Sequence, residues 1–156
     1  MKDALFTAIR EQNATVVAQL LKETPKLVSE KDARGSTPLL LATYYGYSEI
    51  TELILKHDQE LDYQDTSGNT ALMGVCFKGY TEITQLLLDK GAQVNVTNFN
   101  GATALIFAAT FGHSEIIKLL IAHGVHTGIA DDRGNTALDH ATMQGSKEII
   151  NLLTNA

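Results

Sequence analysis

The 156-residue chain contains one cysteine, two prolines and no tryptophan. A single thiol, Cys76, excludes an intrachain disulfide and a thiol-rich metal site, and it fits a reducing compartment. Basic charge is also short. Twelve Lys and Arg stand against eighteen Asp and Glu, and the net charge of −6 has the wrong sign for a protein drawn to phosphates. Nucleic acid is therefore not expected as a partner. Nowhere do eighteen apolar residues run together, so no membrane span is expected; Met1 to Ile9 carries Lys2 and Asp3 and has no signal-peptide core. These absences favour the cytoplasm, with the periplasm as the alternative had a leader been removed. What is present, 44% hydrophobic and 19% charged residues, is the composition of a folded chain of about one domain.

Glycine is placed with a strict period. Gly35, Gly68, Gly101 and Gly134 stand thirty-three residues apart, and Gly46, Gly79, Gly112 and Gly145 repeat the step eleven residues behind them. Glu49, Glu82, Glu115 and Glu148, each followed by isoleucine, keep it too, as do Leu53, Leu86, Leu119 and Leu152. Such a period is the signature of stacked units rather than of one closed core.

Local signals fill in one unit. Thr37 before Pro38 supplies a side-chain acceptor and a fixed φ for the first turn of a helix, which Gly46 would close soon after Tyr45. Ser48 is expected to cap a second helix from about Glu49 to Lys56, with Ile50, Leu53 and Ile54 along one apolar stripe. Gly91 and Gly124 would end the equivalent helices, and Asp58 would take the left-handed geometry in their place in the first full unit. Turns of Asp-x-x-Gly or Asn-x-x-Gly type begin at Asp32, Asp65, Asn98 and Asp131. Each unit thus reads as helix, turn, helix and a projecting hairpin-like loop.

The strings Gly-Ser-Thr-Pro-Leu-Leu-Leu-Ala at 35–42, Gly-Ala-Thr-Ala-Leu-Ile-Phe-Ala at 101–108 and Gly-Asn-Thr-Ala-Leu at 68–72 and 134–138 resemble the ankyrin repeat signature. So do Gly-His-Ser-Glu-Ile-Ile-Lys-Leu-Leu at 112–120 and Gly-Ala-Gln-Val-Asn at 91–95. The resemblance implies an all-α ankyrin-repeat solenoid of helix–turn–helix units with projecting β-turn or hairpin loops. The family's usual histidine is replaced by Leu40, Met73, Ile106 and Asp139, and its proline survives only at Pro38. Full repeats are expected at 32–64, 65–97 and 98–130, between an N-terminal capping repeat at 1–31 and a C-terminal capping repeat at 131–156. Leu5, Ala8, Val16, Leu20 and Leu21 align with Leu39, Ala42, Ile50, Ile54 and Leu55, the extra residue falling near Glu23-Thr24-Pro25. Asp139 and His140 would give the last unit a polar outer face, and this division leaves no residues for a catalytic domain. Units 65–97 and 98–130 share only ten of thirty-three positions, which reads as a natural array rather than a designed uniform one.

By the same resemblance, partners are held on a concave face built from loop tips and the exposed sides of the first helices. The tips carry Ala33 and Arg34, Thr66 and Ser67, Phe99 and Asn100, and Asp132 and Arg133. The helix ends carry Tyr44 and Tyr45, Phe77 and Lys78, Thr110 and Phe111, and Met143 and Gln144. Five of the chain's ten aromatics fall on these sixteen positions, the clustering expected of a binding surface. Tyr47 and Tyr80 would extend it. A helix-end ring can equally serve to cover a neighbouring backbone, whereas Phe99 at a loop tip has little packing reason to be aromatic. With Arg10 and Glu11 included, the face sums to +2 and leaves −8 for the rest, an arrangement suited to an acidic or neutral partner.

Enzymatic chemistry finds no foothold. His123 and His126 flank Gly124 near Asp131 and Asp132, but that spacing does not fix two imidazoles on one helix face, so no metal is expected. His113 reads as a turn stabiliser, Cys76 as a core residue, and no phosphate loop or nucleophile elbow occurs. No cofactor is implied. The expectation is a non-enzymatic regulator or scaffold that binds a partner protein, as a monomer in preference to a homodimer. A small-ligand or metal-binding protein, and a homo-oligomer using the same face, are the alternatives.

Overall fold

Thr37, Thr70, Thr103 and Thr136 set the frame of the molecule. Each hydroxyl accepts from the backbone N–H three residues on, at Leu40, Met73, Ile106 and Asp139, and so satisfies a donor that the first helical turn leaves unpaired. The computed structural model describes residues 1–156 and contains ten α-helices and no strand. They are α1 (Lys2–Arg10), α2 (Ala14–Glu23), α3 (Pro38–Tyr44), α4 (Ser48–Leu55), α5 (Ala71–Lys78), α6 (Thr81–Asp89), α7 (Ala104–Thr110), α8 (Ser114–Ala122), α9 (Ala137–Gln144) and α10 (Lys147–Thr154). A 3₁₀ turn over Pro25–Ser29, absent from the later units, takes up the slack between α2 and α3. The odd-numbered helices pack side by side in one layer and the even-numbered ones in a second.

Burial along the second layer explains why the units stack. In α4 four positions are buried, Ile50 and Ile54 with Thr51 and Leu55, and α6 repeats the set as Ile83, Leu87, Thr84 and Leu88. In α2 only the later pair, Val17 and Leu21, is buried; Val16 is 38% exposed although Ile50, its counterpart, is 3% exposed. In α10 only the earlier pair survives, Ile149 and Leu153. One pair therefore faces the preceding unit and the other the following unit, and each helix needs both neighbours to bury its stripe.

Two local expectations are corrected. Ser48 does not cap α4: the N-cap is Tyr47, without a side-chain bond, and Ser48 is already helical. In the last unit the cap position does hold a serine, Ser146, which accepts from the Ile149 N–H. Asp58 is not left-handed; the one non-glycine residue at positive φ is Gln12, at 55°, occupying the register of Gly46. Of the expected β-turn or hairpin form, the projecting loops take the β-turn, without strands. Asp32, Asp65, Asn98 and Asp131 each turn one side-chain oxygen back onto the N–H groups two and four residues ahead, which staples a tight β-turn and leaves no ladder to form.

Neighbouring loops are joined directly. The Phe99 N–H donates to the Ser67 carbonyl at 3.1 Å and the Asp132 N–H to the Asn100 carbonyl at 3.0 Å. Farther back, Asp62 accepts from the Gln93 N–H and Asn95 from the His126 N–H. Met73 and Ile106, which stand where the family's histidine would, are buried in the apolar core. No helix is long and apolar enough to cross a membrane.

Candidate protein-binding face

Nine large apolar side chains are exposed, and six of them, Tyr44, Tyr45, Phe77, Phe99, Phe111 and Met143, lie at the loop tips and the ends of α3, α5, α7 and α9. The register dictates this. The short first helices end within one to three residues of their last buried residue, so the side chains at their ends leave the core whatever their polarity. Two aromatic groups result. Tyr44 meets Tyr45 edge-on at 5.4 Å, and Tyr45 stacks on Tyr47 at 5.8 Å. Phe77 meets Phe111 edge-on at 4.8 Å and Phe107 at 6.0 Å, which ties α5 to α7. Lys78 holds its ammonium 4.5 Å from the Tyr44 ring centre and so links the two groups.

The remaining candidates divide into side chains that are free and side chains already engaged. Arg34 and Arg133 project from their tips, and Ser67 and Asn100 present side chains to solvent while their carbonyls hold the next loop. The Thr110 hydroxyl is spent on the Ile106 carbonyl at 2.7 Å. Asp132 closes over Gly101, where a Cβ would come within 2.7 Å of its carboxyl oxygen. Arg10 is not free either: it pairs with Asp32 at 3.4 Å, which reduces the positive balance of the face. Phe99 is 67% exposed, yet its ring also lies on Gly68, within 2.7 Å of where a Cβ would stand, so the aromatic does have a packing role after all.

Tyr80, expected to extend the face, and His113, expected to stabilise a turn, both pack against a glycine of the preceding unit. Tyr80 covers Gly46 of the unit before it and His113 covers Gly79 in the same register, leaving no room for a side chain at either glycine. His113 Nε2–H also donates to the Phe77 carbonyl at 3.1 Å, so the turn-stabilising histidine acts across units. Cys76 is fully buried, and desolvation pushes its thiol far above the usual range, against a smaller opposing effect of the Thr84 hydroxyl. A thiolate nucleophile there is excluded on access and on charge. His123 Nδ1–H is bound to the Leu119 carbonyl, and no three His, Cys, Asp or Glu side chains come together in an arrangement that could hold a metal ion.

A family model of ankyrin repeats, three copies long, matches residues 5–98 and 72–156. The chain belongs to the ankyrin repeat family. A search of the curated proteins found no match. Ankyrin repeats are generally protein–protein interaction modules, and the family is typically a non-enzymatic scaffold. Against that background the structure adds residues that sequence reasoning passed over. Between the two aromatic groups of this ankyrin stack lies a cavity of about 250 Å³, lined by Leu40, Tyr44, Asp65, Met73, Phe77 and Phe107 and opened by Gly74. One signal could have found it: at the thirty-three-residue step, Gly74 interrupts a row otherwise filled by Leu41, Phe107 and His140.

Proposed function

We propose that this ankyrin stack is a non-enzymatic module that docks a partner protein on its aromatic face and thereby recruits, blocks or regulates it. Tyr45, Phe77, Phe99 and Phe111 serve as apolar anchors, and Arg34, Lys78 and Arg133 orient the partner. The module acts as a monomer with a preformed surface, without nucleic acid, membrane or cofactor. The single buried thiol is consistent with the reducing cytoplasm. The observation that carries the proposal is the gathering of six of the nine exposed large apolar side chains at the tips and inner-helix ends. Rings already held edge-on against each other lose little freedom on binding, which favours hot-spot contacts.

The test is an affinity capture from lysate of the source organism, comparing the wild type with a Tyr45→Ala, Phe77→Ala, Phe111→Ala variant whose helical content and melting are checked first. The variant is expected to stay folded and lose proteins that the wild type retains. Identical capture by two equally folded proteins would show that the face is wrong.

A further inference from the structure

Gly74 is a residue the fold does not require. It lies inside α5 at a φ open to any amino acid, and a Cβ added there would meet nothing within 4 Å. Gly68 differs: it is left-handed and lies under Phe99. An interior helical glycine weakens its helix relative to alanine, so its presence where packing makes no demand points to the space it leaves. That space is the cavity of about 250 Å³ between Tyr44, Phe77 and Phe107.

One wall of the cavity carries an unused charge. In all four loops the turn residue commits Oδ1 to two backbone N–H groups, and the four differ in what the other terminal atom does. Asp32 Oδ2 pairs with Arg10 at 3.4 Å, Asn98 Nδ2 donates to Asn69 at 2.9 Å, and Asp131 Oδ2 accepts from His140 Nε2–H at 2.8 Å. Asp65 Oδ1 takes the Ser67 and Asn69 N–H groups at 2.8 and 2.9 Å, and its Oδ2 has no partner. No arginine or asparagine reaches Asp65 as Arg10 and Asn69 reach the others, and Gly74 supplies no donor either. His140, the donor to Asp131, occupies the same register, and glycine has nothing to offer there.

We infer that this cavity receives a lysine side chain of the protein partner, its stem between Tyr44, Phe77 and Phe107 and its ammonium at Asp65 Oδ2. The inference rests on the aromatic face being a docking surface. His140 demonstrates that a donor seated at this register reaches the free carboxyl oxygen, and Lys78 that the Tyr44 ring accepts an ammonium at 4.5 Å. A single free oxygen suffices for the point charge of lysine, whereas a guanidinium there is limited to one oxygen, as Arg10 is at Asp32, and forgoes its two-pronged geometry. Apolar walls suit a four-carbon stem. Because Arg34 and Arg133 stand at the loop tips, the lysine would sit within an otherwise neutral or acidic segment.

The experiment titrates the ¹⁵N-labelled protein with the pentapeptide acetyl-Gly-Leu-Lys-Leu-Gly-amide, and with the same peptide carrying Nε-acetyllysine or arginine in place of lysine. Wild type is compared with Asp65→Asn, which keeps the turn as Asn98 does, and Gly74→Leu, which copies Leu41. The lysine peptide is expected to shift the amides around Gly74, Tyr44 and Phe77, and its acetylated form to leave them in place. Asp65→Asn should need about tenfold more peptide, the loss of one charge-assisted hydrogen bond. Gly74→Leu should melt at or above the wild-type temperature and show no shifts. Equal binding of the acetylated peptide, tighter binding of the arginine peptide, or shifts that persist in both variants would overturn the inference. A titration without shifts, alongside loss of capture by the triple variant, removes the lysine site and leaves the docking face standing. Capture retained by the triple variant removes the face itself.

Discussion

Two rows of side chains run the length of the stack at the same thirty-three-residue step and behave in opposite ways. Leu39, Leu72 and Leu105, near the helix starts, are identical in kind and at most 2% exposed, and only Leu138, in the last unit with no unit after it, is 37% exposed. Tyr44 and Tyr45, Phe77 and Lys78, Thr110 and Phe111, and Met143 and Gln144, at the helix ends, differ from unit to unit and reach solvent. The physical cause is that a neighbouring repeat presents the same close-packed hole at every step, so the buried row has one solution. Solvent imposes no such volume. Differences between equivalent exposed positions therefore carry what is particular to this chain, and the shared interior carries what is common to the fold.

The sharpest test exchanges one member of each row. Leu105→Ala should lower stability by about 2–5 kcal/mol, because it empties a fully enclosed site between repeats. Phe111→Ala removes a half-exposed ring and one edge-on contact, and should cost about 1 kcal/mol. Denaturant unfolding gives both values. Partner capture should follow the reverse order, falling more for Phe111→Ala at a temperature where both variants are folded. Equal stability losses would mean that the helix-end row is itself core, and the comparison would collapse.

A smaller effect separates Asp131 from Asp65, which share a register and differ in their partner. The His140 Nε2–H, with added help from the Asn135 N–H and against slight desolvation, holds the Asp131 carboxyl below its ordinary value of 3.8. A carboxyl depressed in the folded state stabilises the fold above its unfolded value, and that contribution disappears as pH falls through the lower folded value. Melting temperatures measured from neutral pH down through the carboxylate range should therefore fall less steeply below about pH 3.8 in His140→Ala than in the wild type. Parallel acid limbs would show that the pair at 2.8 Å contributes nothing. Restoring the pair at the other site, with Gly74→His beside Asp65, should steepen the limb again.

The fold was legible because its signals repeat. Four threonines, four turn residues and eight glycines each state the frame independently, so an error in one unit is exposed by the other three. The exposed aromatics were legible for the same reason, since helix length alone determines which positions emerge. What could not be read was anything that depends on one unit meeting another. Tyr80 over Gly46, Phe99 over Gly68 and the Arg10–Asp32 pair join residues about twenty to thirty-five positions apart, and no local pattern specifies them. Gly74 was visible as a gap in a row, but only the surrounding rings make the gap a cavity. The expectation that Ser48 caps α4 failed because the helix begins one residue earlier, at Ser48 itself, after an uncapped Tyr47.

The smallest predicted effect concerns backbone rather than side chains. Gly46, Gly79, Gly112 and Gly145 close the turn between paired helices at φ of 73–86°, and the first unit does the same with Gln12 at 55°. A side chain in that region clashes with its own backbone, a cost of about 1 kcal/mol that the glycines avoid. Gln12→Gly relieves the clash and adds freedom to the unfolded chain, so the net gain should be a few tenths of a kcal/mol up to about 1. Asp58 has the opposite geometry: it occupies the register of Gly91 and Gly124 without their positive φ. Asp58→Gly therefore supplies only the entropic penalty and should destabilise by a similar amount. Thermal melts of the two variants should move in opposite directions, by a few degrees at most. Movement in the same direction would mean that the first interhelical turn relaxes to another conformation, and that the first unit does not share the turn geometry of the others.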